Sequence, residues 1–141
     1  MSKKRDAAIA AALGLVIGNV CPNFLVSEWK VKKVVDGDTI KVWHNTVPKH
    51  LEVVNVRLAG LDTPELRGKC DREKELAIKA KELIEETLNS ANKVRFDVID
   101  RGKYGRYLVV VHADTININK LLIDKGLAYE YYGGTKQSWC D

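Results

Sequence analysis

Three β-rich runs separated by turn signals constrain the fold of this chain more than any other feature. The runs are Trp29–Val35, Thr39–Trp43 and Leu51–Leu58, where apolar and polar residues alternate or β-branched residues dominate. Between the first two lies Asp36-Gly37-Asp38, and Asp and Gly readily adopt the dihedral angles of a hairpin turn. Residues 44–50 predict a polar loop before the third run. The segment therefore predicts a meander of three antiparallel strands.

A helix and a second strand pair follow the predicted meander. Apolar residues recur at helical spacing over Glu75–Leu88, which predicts a helix with one apolar face. The remaining predicted elements are strands at Val94–Asp100 and Arg106–His112 with a turn over 101–105, and a helix at Ile118–Lys125 that Asn117 caps and Gly126 ends. The order β-β-β-α-β-β-α is that of an α+β fold built on a five-stranded OB-type barrel. No element is predicted for the last fifteen residues.

Size and charge limit the interpretation only loosely. The 141 residues suit a single domain, predicted over 29–141, with 19–28 as a linker. The net charge is +4, of which the three bases Lys3, Lys4 and Arg5, less Asp6, supply +2. Net charge alone is therefore weak support for a nucleic-acid partner.

The first 18 residues resemble a targeting segment. A basic head precedes the uncharged stretch Ala7–Gly18, whose 12 residues are too few to span a bilayer. This pattern is typical of a secretory signal peptide and predicts a secreted or periplasmic protein. The alternatives are an uncleaved anchor on the membrane surface and an N-terminal helix packed on the domain.

Three cysteines stand at positions 21, 70 and 140. In an oxidising compartment pairing is expected, and a bond between Cys70 and Cys140 would tie the chain end to the start of the long helix. The alternative is three free thiols. Without a Cys-x-x-Cys pair, a structural zinc site is not indicated.

Two acidic corners carry the candidate metal ligands. They are Asp36-Gly37-Asp38-Thr39 and Asp62-Thr63-Pro64-Glu65, and each alone is equally compatible with a simple turn. Because each ends a strand of the same meander, both corners can reach one site. Asp38, Asp62 and the Thr63 carbonyl would suit Ca²⁺, which prefers oxygen ligands. Glu65 would then polarise a water molecule.

The candidate cationic residues are Arg57, Arg106 and Lys103. Each is equally compatible with a solvated surface position, but a guanidinium pairs bidentately with phosphate oxygens. Tyr104 could stack on a base. A metal, a base and two arginines are what phosphodiester hydrolysis requires. The histidines at 44, 50 and 112 lack metal-binding spacing and are interpreted as solvated or structural.

Taken together, these segments resemble the staphylococcal nuclease-like (thermonuclease) family. The matching pieces are VVDGDTIKV at 34–42, VRLAGLDTPE at 56–65, KYGR at 103–106 and INKLLIDKGLA at 118–128, in the family order. The resemblance covers roughly residues 29 to 132. It implies a five-stranded OB barrel with three helices and a Ca²⁺-dependent endonuclease that acts on DNA and RNA and leaves 3′-phosphates.

The resemblance also implies roles for individual residues. Asp38, Asp62 and Thr63 would bind the metal, and Glu65 would be the general base. The other implied roles are stabilisation of the transition state by Arg57 and Arg106, and contact with the nucleotide by Lys103, Tyr104 and either Tyr131 or Tyr132. Gly102 departs from the family, which often has an acid there, and so do the segment after Glu65 and the C-terminal tail. That tail resembles those of bacterial and phage relatives with a cysteine at the helix start.

Two other functional classes are compatible with the same fold. One is a catalytically inactive OB module that binds nucleic acid or protein, and the other is a purely structural domain. All matched catalytic positions carry the expected residue type, which favours the enzyme. We expect a monomer with DNA and RNA substrates, no small-molecule cofactor, and membrane contact only through a retained N-terminus.

Overall fold

The computed structural model describes residues 29–47, 50–101 and 106–141. The predicted signal segment, the predicted linker, Cys21, Lys103 and Tyr104 therefore lie outside the described residues. Within these ranges, none of the helices combines the length and apolar character needed to cross a membrane.

The described chain forms eight strands and two helices. In order they are β1 (Lys30–Asp36), β2 (Thr39–Val47), β3 (His50–Leu58), β4 (Leu61–Asp62), α1 (Asp71–Ser90), β5 (Val94–Arg101), β6 (Tyr107–Ala113), β7 (Ile116–Asn117), α2 (Ile118–Asp124) and β8 (Tyr129–Glu130).

The main sheet is mixed and runs in the order β1-β2-β3-β6-β5, with β7 beside β6. The antiparallel meander β1-β2-β3 is confirmed. β6 then lies parallel to β3, since α1 and β5 intervene in the chain and reverse its direction before β6 begins. This α+β arrangement is consistent with an OB-like fold. Within the described residues β1 does not pair with β5, so the closed barrel that was expected is not found.

Several element boundaries differ from the prediction. Residues 44–47 belong to β2 and His50 begins β3, because pairs such as His44 with Glu52 continue the hairpin ladder. The loop predicted over 44–50 was therefore too long. Arg101 likewise extends β5 beyond its expected end, because it pairs with Tyr107.

The long helix begins four residues earlier than predicted, at Asp71 rather than Glu75. Cys70 is its N-cap, with the Glu73 N–H donating to Sγ at 3.4 Å. Asn117 caps α2 as predicted, since its side chain accepts from the Lys120 N–H at 3.0 Å. The last fifteen residues contain β8, which pairs with β4 to form a small second sheet.

The core lies between the inner face of the main sheet and the two helices. It is built from strand and helix side chains that are essentially inaccessible to solvent: Ile40, Val42, Val56, Phe96, Val109, Val111, Ala80, Ile84, Ile118 and Leu122. Alternation along β2 and β3 then directs Thr39, Lys41 and Arg57 to the outer face. The predicted site residues consequently lie at strand ends and on the outer face rather than in the core.

Candidate active site

Gly37 brings the two acidic corners together. A Cβ added at this position would lie 3.0 Å from both Cβ and Oγ1 of Thr63 and 3.1 Å from Ala80 Cβ. Only glycine therefore lets the β1–β2 turn pack this closely on the second corner without displacing its neighbours. Because Asp38 adjoins Gly37 and Asp62 adjoins Thr63, the predicted ligand pair lies at one end of the sheet.

Arg57 joins the first corner through an ion pair. Its Nη2 lies 3.6 Å from Asp38 Oδ2, and both side chains are partly exposed. Thr39 faces Arg57 across the β2–β3 ladder, and its hydroxyl donates to Asp38 Oδ1 at 2.9 Å. The carboxylate of Asp38 is thus oriented by two groups from neighbouring strands.

Asp62 is buried, and two side chains from the C-terminal segment contact its carboxylate. Lys136 Nζ lies 3.2 Å from Oδ1, and Trp139 Nε1 donates to Oδ2 at 3.4 Å. These contacts form because Asp62 pairs with Tyr129 between β4 and β8, and the Tyr129 ring stacks on Trp139 at 4.1 Å. Trp139 lies 77 positions beyond Asp62 in the chain, so no local pattern reveals this contact.

The C-terminal segment is fastened to the start of α1. The structure joins Cys70 and Cys140 in a disulfide with a Cα–Cα distance of 5.9 Å. Arg72 Nη1 also donates to the Trp139 carbonyl at 3.0 Å. The first turn of α1 therefore positions the C-terminal segment, whose Lys136 and Trp139 contact the Asp62 carboxylate.

Glu65 lies on an exposed loop that a buried carboxylate organises. The Glu65 N–H donates to Glu73 Oε2 at 3.1 Å, and the Lys69 N–H donates to Oε1 at 3.0 Å. Glu73 is buried in the first turn of α1, three residues after the N-cap Cys70. This is the spacing of a capping box, although its carboxylate accepts from Glu65 and Lys69 rather than from the N-cap N–H. That spacing was the available signal for Glu73, which the sequence analysis missed.

Negative charge is concentrated around the first corner. Burial, followed by the hydrogen bond and negative charge of Asp38, raises the pKa of Asp36 to about 6, and Glu65 contributes in the same direction. The Asp38 N–H donates to Asp36 Oδ1 at 3.2 Å and partly offsets this rise in pKa. Asp36, Asp38 and Glu65 are therefore within electrostatic reach of one another.

The two predicted arginines line one open cleft. Its volume is about 450 Å³, and Arg57, Arg106, Tyr131 and Tyr132 contribute the polar and aromatic parts of its wall. Tyr132 is 86% exposed and its ring covers Gly60, where an added Cβ would lie 3.0 Å from Cε1. Two guanidinium groups and two phenol rings thus surround a space that is open to solvent.

A family comparison supports what this geometry indicates. The profile of the family described as "Staphylococcal nuclease homologue" matches residues 55–139, more than half of the chain. The chain belongs to the staphylococcal nuclease family. The resemblance identified from the sequence motifs is therefore confirmed.

Relatives of this staphylococcal nuclease family member include proteins named as endonucleases. The chain is 36% identical over 109 residues to the SPbeta prophage-derived endonuclease YokF of Bacillus subtilis (strain 168), covering 74% of the chain and 35% of the relative. Endonuclease YncB of the same organism is 34% identical over 109 residues, covering 74% and 49%. An uncharacterized endonuclease of Escherichia coli O157:H7 is 30% identical over 103 residues, covering 72% and 60%. The chain thus spans only about a third to three fifths of the length of these relatives.

The donor set of this family member fits a hard cation in type. Asp38, Asp62 and the Thr63 carbonyl offer only oxygen ligands, which Ca²⁺ prefers. Burial and then the negative charge of Asp38 raise the pKa of Asp36, and a cation bound at this corner would oppose both effects. Across residues 29–47, 50–101 and 106–141 no group of three or more His, Cys, Asp or Glu side chains is placed to hold a metal.

Proposed function

We propose that the protein is a Ca²⁺-dependent endonuclease that hydrolyses phosphodiester bonds of DNA and RNA. The position of Arg57 carries this proposal. Its guanidinium pairs with Asp38 and also lines the cleft that contains Arg106. One arginine therefore links the candidate metal ligands to the candidate phosphate site. The endonuclease names of the relatives support the same reaction class.

In this proposal each residue has a chemical role. Asp38, Asp62 and the Thr63 carbonyl would hold the cation, whose contribution is Lewis-acid polarisation of a phosphoryl oxygen. Arg57 and Arg106 donate hydrogen bonds to the non-bridging phosphoryl oxygens and offset the negative charge that grows there in the transition state.

Glu65 is the proposed general base. Its exposed carboxylate accepts a proton from the attacking water while the bond from the water oxygen to phosphorus forms. The bond from phosphorus to the 5′ oxygen breaks, and this oxygen leaves with a proton from solvent. The products are a 3′-phosphate and a 5′-hydroxyl. Because no 2′-hydroxyl takes part, DNA and RNA are both substrates.

Tyr131 and Tyr132 are proposed to contact the nucleotide at the opposite side of the cleft. Both tyrosines follow β8 in the chain, whereas Arg57 belongs to β3 and Arg106 directly precedes β6. Stacking on a ring face is tolerant of base identity, which suits a nuclease with little sequence preference. Lys103 and Tyr104 remain predicted phosphate and base contacts.

Cleavage of labelled single-stranded DNA with Ca²⁺ or with chelator tests this proposal. We expect chelator-sensitive cutting, products that end in 3′-phosphates, and loss of most activity in Glu65→Gln. Products that end in 3′-hydroxyls would contradict the proposed bond specificity. Chelator-resistant cutting would contradict the metal requirement.

A second candidate function is nucleic-acid binding without catalysis. The ion pairs of Asp38 with Arg57 and of Asp62 with Lys136 favour it, because each candidate ligand already has a positive partner. Salt-sensitive retention of the labelled strand without any cutting would support this binding module.

Export from the cytoplasm is a separate proposal. The signal-like pattern of residues 1–18 and the bond between Cys70 and Cys140 both suit an oxidising compartment. Expression of the full chain in a bacterial host, followed by fractionation and intact-mass measurement, tests it. A full-length mass in the cytoplasmic fraction alone would contradict export.

A further inference from the structure

The outer face of the meander carries a regular set of side chains between Arg57 and the far end of β2. Thr39 pairs with Arg57, and two residues further along β2, Lys41 pairs with Asn55. Two residues beyond Lys41, Trp43 pairs with Val53. These rows alternate with rows of buried residues and therefore share one side of the sheet.

β1 continues the same rows with basic residues. Lys33 pairs with Lys41, and Lys30 pairs with Trp43. The register shifts between Val31 and Lys33, so Lys32 is an extra residue in a bulge. A bulge re-aims the side chain of the extra residue, and Lys32 Nζ lies 4.9 Å from the centroid of the Trp43 ring. We call Lys30, Lys32, Lys33, Lys41 and Trp43 the lysine–tryptophan strip.

Trp43 differs from the other tryptophans of the chain in its exposure. Trp29 and Trp139 are 7% and 5% exposed, whereas Trp43 is 38% exposed. The two buried rings pack against other aromatic rings, which accounts for their positions. Trp43 instead has a solvent-exposed ring with the Lys32 ammonium over it, and core packing does not account for this position.

The strip is basic along its length, and the row of Asp36, Thr39 and Arg57 adjoins it at the end nearer the proposed active site. Every β1 and β2 position in these outer rows between Trp43 and Thr39 is a lysine, and the facing β3 positions are Asn55 and Val53. Four residue steps along β2 lead from Thr39 to Trp43, or about 13 Å at roughly 3.3 Å per step. A nucleic-acid strand bound at Arg57 would therefore reach Trp43 if it continued a short distance along the sheet.

We propose that the lysine–tryptophan strip binds single-stranded nucleic acid outside the scissile bond, with one base stacked on Trp43. This inference rests on the proposed nuclease function and extends it to the longer substrate. Aromatic rings inside a basic groove are the usual platform for single strands. OB-type folds bind oligonucleotides on the face of strands 2 and 3, and Lys41 and Trp43 lie on β2. A duplex hides its base faces within the helix, so the exposed ring favours an unpaired strand. The phosphates would follow Lys41, Lys33 and Lys32.

Equilibrium binding of a fluorescein-labelled 12-nucleotide single strand to the full chain, in chelator, tests the strip. We expect Trp43→Ala to weaken binding about 10-fold or more, because stacking is lost. Trp43→Phe should remain within about threefold of the parent, since a ring is kept. Ile116→Ala, which removes another exposed apolar side chain on β7, is the control and should bind like the parent.

Salt dependence separates the contribution of the lysines from that of the ring. Lys32→Gln should lower the slope of log affinity against log salt by about one, as expected for one lost phosphate contact. Lys125→Gln, at the end of α2, is the matched control and should keep the parent slope. Because Lys32→Gln alters only an exposed side chain, it still tests the strip if Trp43→Ala fails to fold.

The outcomes distinguish this inference from the proposed reaction. If the parent protein cuts DNA but Trp43→Ala and Lys32→Gln bind the nucleic acid as tightly as the parent, the binding role of the strip is refuted. The proposed nuclease activity is then unaffected. If the parent binds through Trp43 but cuts nothing, the strip stands and the reaction is refuted. A parent dimer that Trp43→Ala converts to monomer would assign this face to self-association and overturn the inference.

Discussion

Lys136 Nζ lies 3.2 Å from Asp62 Oδ1, so a lysine from the C-terminal segment neutralises a carboxylate that we propose as a metal ligand. The lysine side chain is 44% exposed and the aspartate side chain only 7% exposed. The ammonium can therefore leave for solvent, whereas the carboxylate stays buried. A divalent cation that binds Asp62 would compete with Lys136 for the same oxygen.

Removal of this competitor should strengthen metal binding. We expect Lys136→Gln to raise the affinity for Ca²⁺ without substrate by up to about fivefold, because an ion pair with an exposed partner contributes about 1 kcal/mol or less. Isothermal titration calorimetry of the metal-free protein with Ca²⁺ measures this affinity. Lys125→Gln is the matched control. An unchanged or lower affinity would show that Lys136 does not compete with the cation.

Loss of either cleft arginine should remove activity while sparing the fold. We expect Arg57→Ala and Arg106→Ala each to lower kcat/KM by about 100-fold or more, since each removes stabilisation of the charged transition state. The melting temperature should fall by only a few degrees, because the ion pair with Asp38 is partly exposed. Arg95→Ala, whose exposed partner is Asp97, is the control. Parent-like cleavage by both cleft variants would contradict their role.

Reduction of the bond between Cys70 and Cys140 should destabilise the protein. The bond closes a loop between residues 70 positions apart, and the loss of such a constraint costs about 2–4 kcal/mol. We expect a reductant to lower the melting temperature of the parent but not of the Cys70→Ser, Cys140→Ser double variant. Serine is chosen because it can also cap α1. Alkylation of both cysteines in non-reduced, exported protein would contradict the pairing.

The contribution of His44 to stability should fall as the pH is lowered below about 6.5, whereas Asp36, whose pKa is raised to about 6, changes stability in the opposite direction. Burial lowers the pKa of His44, Arg101 adds to this effect, and Glu52 opposes it. Because the unfolded chain binds this proton at a higher pH than the folded chain, acid favours unfolding until the folded pKa is passed. The effect is at most about 1.4 kcal/mol per pH unit.

Replacement of His44 with phenylalanine tests this dependence. His44 packs against the Trp29 and Tyr107 rings, with centroid distances of 4.7 and 5.5 Å, so another ring should fit. Urea unfolding at several pH values should show that acid lowers the stability of His44→Phe less than that of the parent between pH 7 and the folded pKa. An identical slope in the parent and the variant would exclude His44 as the source.

Glu73→Gln should disturb the loop that carries Glu65. The amide offers a single acceptor oxygen, whereas the carboxylate accepts from the backbone N–H groups of both Glu65 and Lys69. We expect a loss of about 1–3 kcal/mol of stability and a lower kcat. Glu75→Gln, on the exposed face of α1, is the matched control. Parent-like stability would show that these hydrogen bonds contribute little.

Much of the fold was predictable because the patterns behind it are local. Alternation and turn residues predicted β1, β2 and β3, and helical spacing predicted the body of α1. The errors occurred where pairing partners decide the outcome. His44 and Arg101 are strand residues because Glu52 and Tyr107 face them across the sheet. Neither position carries a local signal strong enough to predict it.

The candidate site likewise has parts that were predictable from the sequence and parts that depend on tertiary packing. Asp38, Asp62, Arg57 and Arg106 were predicted from residue type and position along the chain. The structure pairs Arg57 with Asp38 and places Arg57 and Arg106 on one cleft. The glycine contact that joins the two corners depends on packing between β1–β2 and the chain after β4. The residue spacing within either motif does not predict that contact.

By itself the sequence determined the strand and helix pattern, the acidic corners, the arginines and the family to which the chain belongs. Only the tertiary structure decided what surrounds them: Lys136 and Trp139 at Asp62, Glu73 beneath the Glu65 loop, and Lys32 over Trp43. The physical reason is that periodicity and turn chemistry act over a few neighbouring residues. A buried carboxylate, by contrast, must find its partner among whatever segments the folded chain brings into contact.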